Sequence, residues 1–286
     1  MNVRGVELRK LAYAGARYGP RFWVKYSPAF FGVVFACALP KERAKIRASL
    51  RRLRGPRGRL ADTLDVARTF VAYAHCLAES LAGERPEALA AVPEVHGAER
   101  LRDVIGDGRG AIMVTAHCGP WDVAARFLAR DYDSDVLIVM APEQDARARG
   151  LQDILRERSG LRIVHVGGHP LDSLKVLAHL RRGGFVAIQL DRIARLEATV
   201  EVRLGREPFR VPEGPFRLAA LSGAPIVPVF TRRLGYFRHR VQVETPIRVS
   251  RTLPMEEAVA IAAGAAAAAM ERFLSENPTQ WFPFSH

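Results

Sequence analysis

Cysteine is scarce in this chain. Its 286 residues hold three, Cys37, Cys76 and Cys118, scattered without metal-ligand spacing and too few for a disulfide framework. A reducing compartment fits that usage. No uninterrupted apolar run reaches the roughly 20 residues that a spanning helix needs. The best stretch, Phe22 to Pro40, carries Trp23, Tyr26, Phe30, Phe31 and Phe35, but Lys25 interrupts it and Pro28 is expected to break its helix. It also starts late for a signal peptide, and no convincing small-residue cleavage site follows. No G-x4-GK[ST] loop is present for holding nucleotide phosphates. Zinc-finger spacing, aromatic ribonucleoprotein motifs and recognition-helix patterns are missing too, which argues against a nucleic-acid partner. There is no internal repeat.

Acidic residues are also in deficit. The formal net charge is +13 and the sequence pI is near 10.4, a surplus that calls for an anionic partner. The charge is concentrated: Lys41, Arg43, Lys45, Arg47, Arg51, Arg52, Arg54, Arg57 and Arg59 fall within nineteen residues, opposed there only by Glu42. Placed directly after the aromatic run, this segment reads as an interfacial or re-entrant anchor followed by cations facing an anionic membrane surface. A buried core helix beside a solvated basic loop is the alternative.

Apolar spacing divides the chain into two textures. Over residues 1–95 it is helical, with Ile46 and Leu50, then Leu60, Leu64 and Ala67, at three- and four-residue intervals. The segment Leu64 to Leu81 continues the pattern, and Gly83 is a plausible stop. Over residues 96–286 short apolar runs alternate with amphipathic ones. Ala111 to Ala116, Val136 to Met140, Leu161 to Val166, Phe185 to Leu190 and Pro225 to Phe230 read as strands. Trp121 to Arg130, Ala146 to Arg158, Leu171 to Arg182 and Pro215 to Leu221 read as helices. The expected fold is α/β, with a mostly parallel central sheet flanked by helices and a basic, membrane-apposed helical layer at the N-terminus. Thr199 to Leu204 and Arg240 to Glu244 are candidate edge strands, and Met255 to Leu274 is a helix by propensity. One structural domain is expected overall.

The segment Gly110 to Asp122, GAIMVTAHCGPWD, carries the chemistry. A buried strand ends at Ala116 and His117 follows it, at the carboxyl end, where open α/β sheets place their ligands. Gly119 and Pro120 suit a helix start, which puts Asp122 in the first turn. From there its carboxylate can reach back to orient the imidazole, as the acid of a hydrolase triad does. An aspartate in a first turn also caps free N–H groups and suits the helix dipole without any catalysis. Cys118 is a poor nucleophile for the neighbouring His117, because adjacent side chains on extended backbone point apart. His165 and His169, around Gly167 and Gly168, read as incidental loop residues, since no acidic or cysteine ligands cluster near them.

The interval from His117 to Asp122 resembles the H-x4-D/E box of the glycerolipid and lysophospholipid acyltransferase superfamily. The branch it looks most like is the late acyltransferases of bacterial lipid A biosynthesis. Lys41 to Leu53 (KERAKIRASLRRL) resembles the basic helix after that branch's anchor. Arg156 to Gly160 (RERSG), Phe185 to Asp191, Val200 to Gly205, Pro212 to Pro215 (PEGP), Ser222 to Phe230 (SGAPIVPVF) and Pro278 to Phe282 follow in the family's order. The resemblance implies an O-acyltransferase without a bound cofactor or metal, at the cytoplasmic face of the bacterial inner membrane, peripheral or monotopic. Its donor would be acyl-carrier protein or acyl-coenzyme A, and its acceptor a hydroxyl of a lipid or glycolipid. It implies His117 as general base, Asp122 as its partner, and Arg156 or Arg158 with Asp191 shaping the acceptor or phosphate site. Asp122 stands where the lipid A enzymes usually carry Glu, and Ile193 where they often have a second acidic residue. Those departures leave the acceptor open among glycolipids, lysophospholipids and lipid-like metabolites. A catalytically silent membrane-binding protein of the same fold is the rival reading.

Overall fold

The computed structural model describes residues 3–132, 135–140, 162–165, 172–193 and 198–284. Four helices come first: α1 (Val3–Tyr18), α2 (Arg21–Ala38), α3 (Pro40–Arg54) and α4 (Arg59–Leu81). Helix α2 runs straight through Pro28, which was expected to end it. A proline inside a helix removes one backbone hydrogen bond and crowds the preceding turn, at a cost of about 3 kcal/mol. Packing outweighs that cost here. Val24, Pro28, Gly32 and Ala36 recur every fourth residue and form the buried stripe of α2, and α2 lies against α4 along its length. At Gly32 the backbones approach so closely that a Cβ would come within 2.6 Å of the Val71 Cα.

The opposite face of α2 is uncovered. Phe22, Trp23, Tyr26, Phe30, Phe31, Val33, Val34 and Phe35 are all exposed. Helix α3 then departs from α2 at 99°, and the pair together has the apolarity of a span but not its straightness.

The basic run is more engaged than its composition implies. Arg51 donates to Asp62, while Arg54, Arg57 and Arg68 converge on Asp65, both carboxylates being buried on α4. Arg43 donates to the carbonyls of Ala36 and Cys37 at the end of α2, and Arg52 to that of Pro208. Arg43, Arg51, Arg52 and Arg54 thereby fasten α3 to its neighbours.

After a short helix, α5 (Pro86–Leu89), the α/β layer begins. Its order is β1 (Glu94–His96), α6 (Ala98–Gly106), β2 (Ala111–Thr115), α7 (Asp122–Asp131), β3 (Val136–Met140), β4 (Arg162–His165), α8 (Asp172–Arg181), β5 (Phe185–Gln189), β6 (Thr199–Leu204), β7 (Glu207–Pro212), α9 (Gly214–Ser222), β8 (Ile226–Gly235), β9 (Arg238–Val243) and α10 (Met255–Glu276), with a 3-10 turn at Pro278–Gln280. Among the described residues the main sheet has seven strands, in the order β1-β9-β8-β2-β5-β3-β4. All neighbours are parallel except the hairpin β8–β9. The fold is therefore α/β with a mostly parallel sheet flanked by helices. Strands β6 and β7 form a separate antiparallel ribbon instead of an edge of the main sheet. The candidate edge strand near Arg240 becomes β9, covered on its outer side by the short β1. The expected helix over Ala146 to Arg158 lies outside the described residues.

Helix α10 is long and apolar enough to cross a membrane, yet it is a core helix. Ala262, Ala263, Ala266, Ala267, Met270, Phe273 and Leu274 are buried with β5, β6 and β8. Phe273 stacks on Phe230 at 5.0 Å between ring centroids. Burying a side chain of that size contributes about 1.5–3 kcal/mol. Such packing makes the β2–β5–β8 centre a rigid mount for whatever follows those strands.

Candidate active site

Strands β2 and β5 pair in parallel with Thr115 opposite Gln189. The pairing extends one step further, where the Leu190 N–H donates to the Thr115 carbonyl at 2.8 Å. Two residues past that register pair stand His117 on one strand and Asp191 on the other. His117 Nδ1 lies 2.8 Å from Asp191 Oδ1. The His117 backbone N–H reaches the same carboxylate at 3.0 and 3.1 Å, and Trp281 Nε1 donates to Oδ2 at 2.9 Å.

Burial works to raise the pKa of Asp191. The His117 imidazole, with the hydrogen bonds from His117 and Trp281, outweighs it and holds the carboxyl below its ordinary value of 3.8. An ionised carboxylate only accepts hydrogen bonds, so Nδ1 carries the imidazole proton and Nε2 presents its lone pair. Among the described residues Nε2 has no partner. The side chain of Asp191 is 1% exposed and that of His117 14%, so the acid is sealed and the base keeps a small exposed surface.

The loop after β2 is tied to the C-terminal segment. Gly119 N–H donates to the Gln280 carbonyl at 3.0 Å, and Phe282 N–H to the His117 carbonyl at 2.8 Å. Thr231 Oγ1 donates to the Cys118 carbonyl at 3.0 Å. Gly119 has φ +52, and a Cβ there would lie 2.3 Å from the Thr231 carbonyl oxygen, so this turn admits only glycine without rearrangement. The Gln280 amide clamps Arg233, accepting from its N–H at 2.7 Å and donating to its carbonyl at 2.9 Å. The segment Pro278 to Phe282 is thus the back wall of the site.

Asp122 opens α7 as its first residue, one position later than the expected helix start. Its Oδ2 accepts from Ser80 Oγ at 3.2 Å and pairs with Arg126 at 3.1 Å. The carboxylate therefore faces α4 and its own helix, while Asp191 is the one hydrogen-bonded to His117. The reason is register: adjacent parallel strands aim their following residues at each other, whereas α7 turns Asp122 away. Arg156 and Arg158 lie outside the described residues, as does His169. Cys118 is fully buried, and burial pushes its thiol up to about 12, which removes it as a nucleophile. Among the described residues no three His, Cys, Asp or Glu side chains gather as a metal set.

A second buried cluster escaped the sequence reading. Glu79 on α4 accepts from Arg233 Nε at 2.8 Å and meets His239 Nε2 at 2.8 Å. His75, one turn earlier on α4, has a buried Nδ1 with no hydrogen bond among the described residues. Burial, then the Arg233 charge, lowers its pKa to about 4 against the opposing pull of Glu79. A helical spacing from His75 to Glu79 was the one available signal, and nothing local distinguished it from a solvated face.

Residues 65–286 match the family described as bacterial lipid A biosynthesis acyltransferase. The chain is also similar to a phosphatidylinositol mannoside acyltransferase of Mycobacterium tuberculosis, 25% identical over 134 residues, which are 47% of this chain and 42% of that protein. A protein of the same description from Mycolicibacterium smegmatis is 26% identical over 137 residues, 48% of this chain and 44% of that one. The chain thus spans less than half the length of these curated relatives in the matched region.

Proposed function

The chain belongs to the bacterial lipid A biosynthesis acyltransferase family, and from that membership we propose that it transfers a fatty acyl group from a thioester to a hydroxyl of a membrane lipid or glycolipid. The observation that carries this reading is the His117–Asp191 pair at the carboxyl ends of two adjacent parallel strands. Asp191 holds the imidazole in the tautomer that leaves Nε2 free to accept a proton, and it supports the imidazolium once formed. The acceptor hydroxyl gives its proton to Nε2 as its oxygen attacks the thioester carbonyl carbon. The carbonyl electron pair moves onto oxygen. Collapse of that intermediate breaks the C–S bond, and the departing thiolate recovers the proton from the imidazolium. No metal or cofactor takes part in these steps.

The donor is an acyl group on carrier protein or on coenzyme A, both acidic partners suited to a chain of net charge +13. A glycolipid acceptor follows the substrate class named for the mycobacterial relatives. The exposed aromatic face of α2 supports placement at the membrane, lying in the headgroup boundary of the inner membrane's cytoplasmic face. The test is single-turnover acyl transfer by wild type and His117→Ala in parallel with thermal unfolding. Loss of roughly 10²–10⁴ in rate at an unchanged melting temperature is the expected result. Wild-type turnover by His117→Ala would overturn the assignment.

A further inference from the structure

The proposed reaction creates an oxyanion, and the residues from His117 to Pro120 have no backbone donor to spare. The His117 N–H is taken by Asp191. The Cys118 N–H donates to Ala116 at 2.7 Å and the Gly119 N–H to Gln280. Residue 120 is proline and has no N–H. On the opposite side, the Phe282 N–H is bound to the His117 carbonyl and the Leu190 N–H to Thr115. The N–H groups of these five residues are all committed.

One cationic side chain beside this site is not. Arg192 follows Asp191 directly, and among the described residues its single hydrogen bond is a long one, from Nη2 to the Phe282 carbonyl at 3.3 Å. Phe282 is thereby held by His117 at its N–H and by Arg192 at its oxygen. The Arg192 guanidinium is half-buried beside Asp191, Tyr73 and Glu42. Burial draws its pKa down while those groups pull it back, and an arginine stays charged in either case. Among the described residues most of its donors are uncommitted, beside the carboxylate that holds the base, in a setting where a charged donor acts more strongly than in water. By contrast Arg85, also partly buried, donates to three carbonyls, those of Ala16, Arg17 and Gly19.

Building on the acyl-transfer reading, we propose that Arg192 is a catalytic residue that receives the oxyanion of the tetrahedral intermediate. It swings from the Phe282 carbonyl onto the oxygen that gains charge, and returns when the C–S bond breaks. Removing one such donor lowers kcat by roughly 10²–10³.

The test follows thioester cleavage, by acceptor or by water, in wild type, His117→Ala, Arg192→Ala, Arg192→Gln and Arg192→Lys. Two donors are compared, hexadecanoyl-coenzyme A and the phosphate-free S-hexadecanoyl-N-acetylcysteamine. Arg192→Gln is expected to lose roughly 10²–10³ in kcat on both donors with little change in KM, and Arg192→Lys to keep part of the rate. Added guanidinium ion should partly restore Arg192→Ala, which a purely structural role would not produce. A loss confined to KM, or to the coenzyme A donor, would mean phosphate recognition and overturn the proposal. So would a lowered melting temperature with normal kcat in the folded fraction. If wild type cleaves both thioesters and His117→Ala does so equally, the acyl-transfer mechanism fails while Arg192 is judged on its own arm. A wild type that cleaves neither removes both.

Discussion

Glu79 and His239, separated by 160 positions, meet at 2.8 Å between Oε2 and Nε2, and the other oxygen of the same carboxylate holds Arg233. Through this one acid the helical layer is bonded to β8 and β9 of the sheet. The Glu79 side chain is 2% exposed, so water cannot replace either partner.

Removing that acid should therefore be costly. Glu79→Ala is expected to destabilise the protein by about 3–5 kcal/mol, because it strands Arg233 without its carboxylate inside the fold. Denaturant unfolding checks the value. Glu79→Gln keeps hydrogen-bonding capacity and should cost less.

The two candidate partners of His117 separate cleanly by substitution. Asp191→Asn still accepts from the His117 N–H but loses the charge that supports an imidazolium, so transfer should fall at least 10-fold, within the roughly 10²–10⁴ that general-base catalysis supplies. Asp122→Asn should leave transfer within a few-fold of wild type. Its effect should appear in stability, by roughly 0.5–1 kcal/mol, through the weakened first turn of α7. The same single-turnover assay with thermal melts reads both. A deeper activity loss in Asp122→Asn than in Asp191→Asn would reverse the assignment.

Stability should rise with pH across the range set by His75. Its pKa is 6.5 when unfolded and about 4 when folded. Between those values the unfolded chain binds the extra proton, so stability is full above about 6.5 and declines as pH falls toward 4. Urea midpoints measured across that window should show the slope, and His75→Leu should flatten it. Asp191 acts lower down: its carboxyl sits below 3.8, so its contribution is lost only as pH falls through that lowered value.

Membrane binding, if α2 lies in the interface, should depend more on aromatics than on charge. Each buried large apolar side chain contributes about 1.5–3 kcal/mol, against about 1 kcal/mol for a cation near an anionic surface. Several cations of the basic run are already bound to Asp62 and Asp65. Phe22→Ser with Phe30→Ser should weaken vesicle sedimentation more than Lys41→Gln with Arg47→Gln. Added salt should reduce binding only in part. An equal response of the two pairs would place the contact elsewhere.

How much of this could be read beforehand depends on the range of the interaction. Strand β3 falls at Val136–Met140 as its apolar run indicates, and β2 ends one residue before the expected Ala116. Buried strands in parallel sheets announce themselves as continuous apolar runs, so the position of His117 at a strand end was legible. Its bonded carboxylate was not. Asp191 reaches His117 only through the Thr115–Gln189 register, which no local pattern encodes, whereas Asp122 is close in sequence and therefore conspicuous. The fate of the basic run was hidden for a similar reason. Asp62 and Asp65 face it only after α3 and α4 fold back on each other, and composition registers a charge without its partner. Pro28 erred in the other direction, because its local cost was visible and the stripe packed against α4 was not.

The bond from Trp281 to Asp191 crosses 90 residues, and that distance sets an order of events during synthesis. His117 and Asp191 leave the ribosome well before the indole that holds their carboxylate in place. A nascent chain halted after β9 owns both polar partners and no back wall. The hydrogen-bond set around Asp191 is thus incomplete until α10 and the turn beyond it have been made and docked.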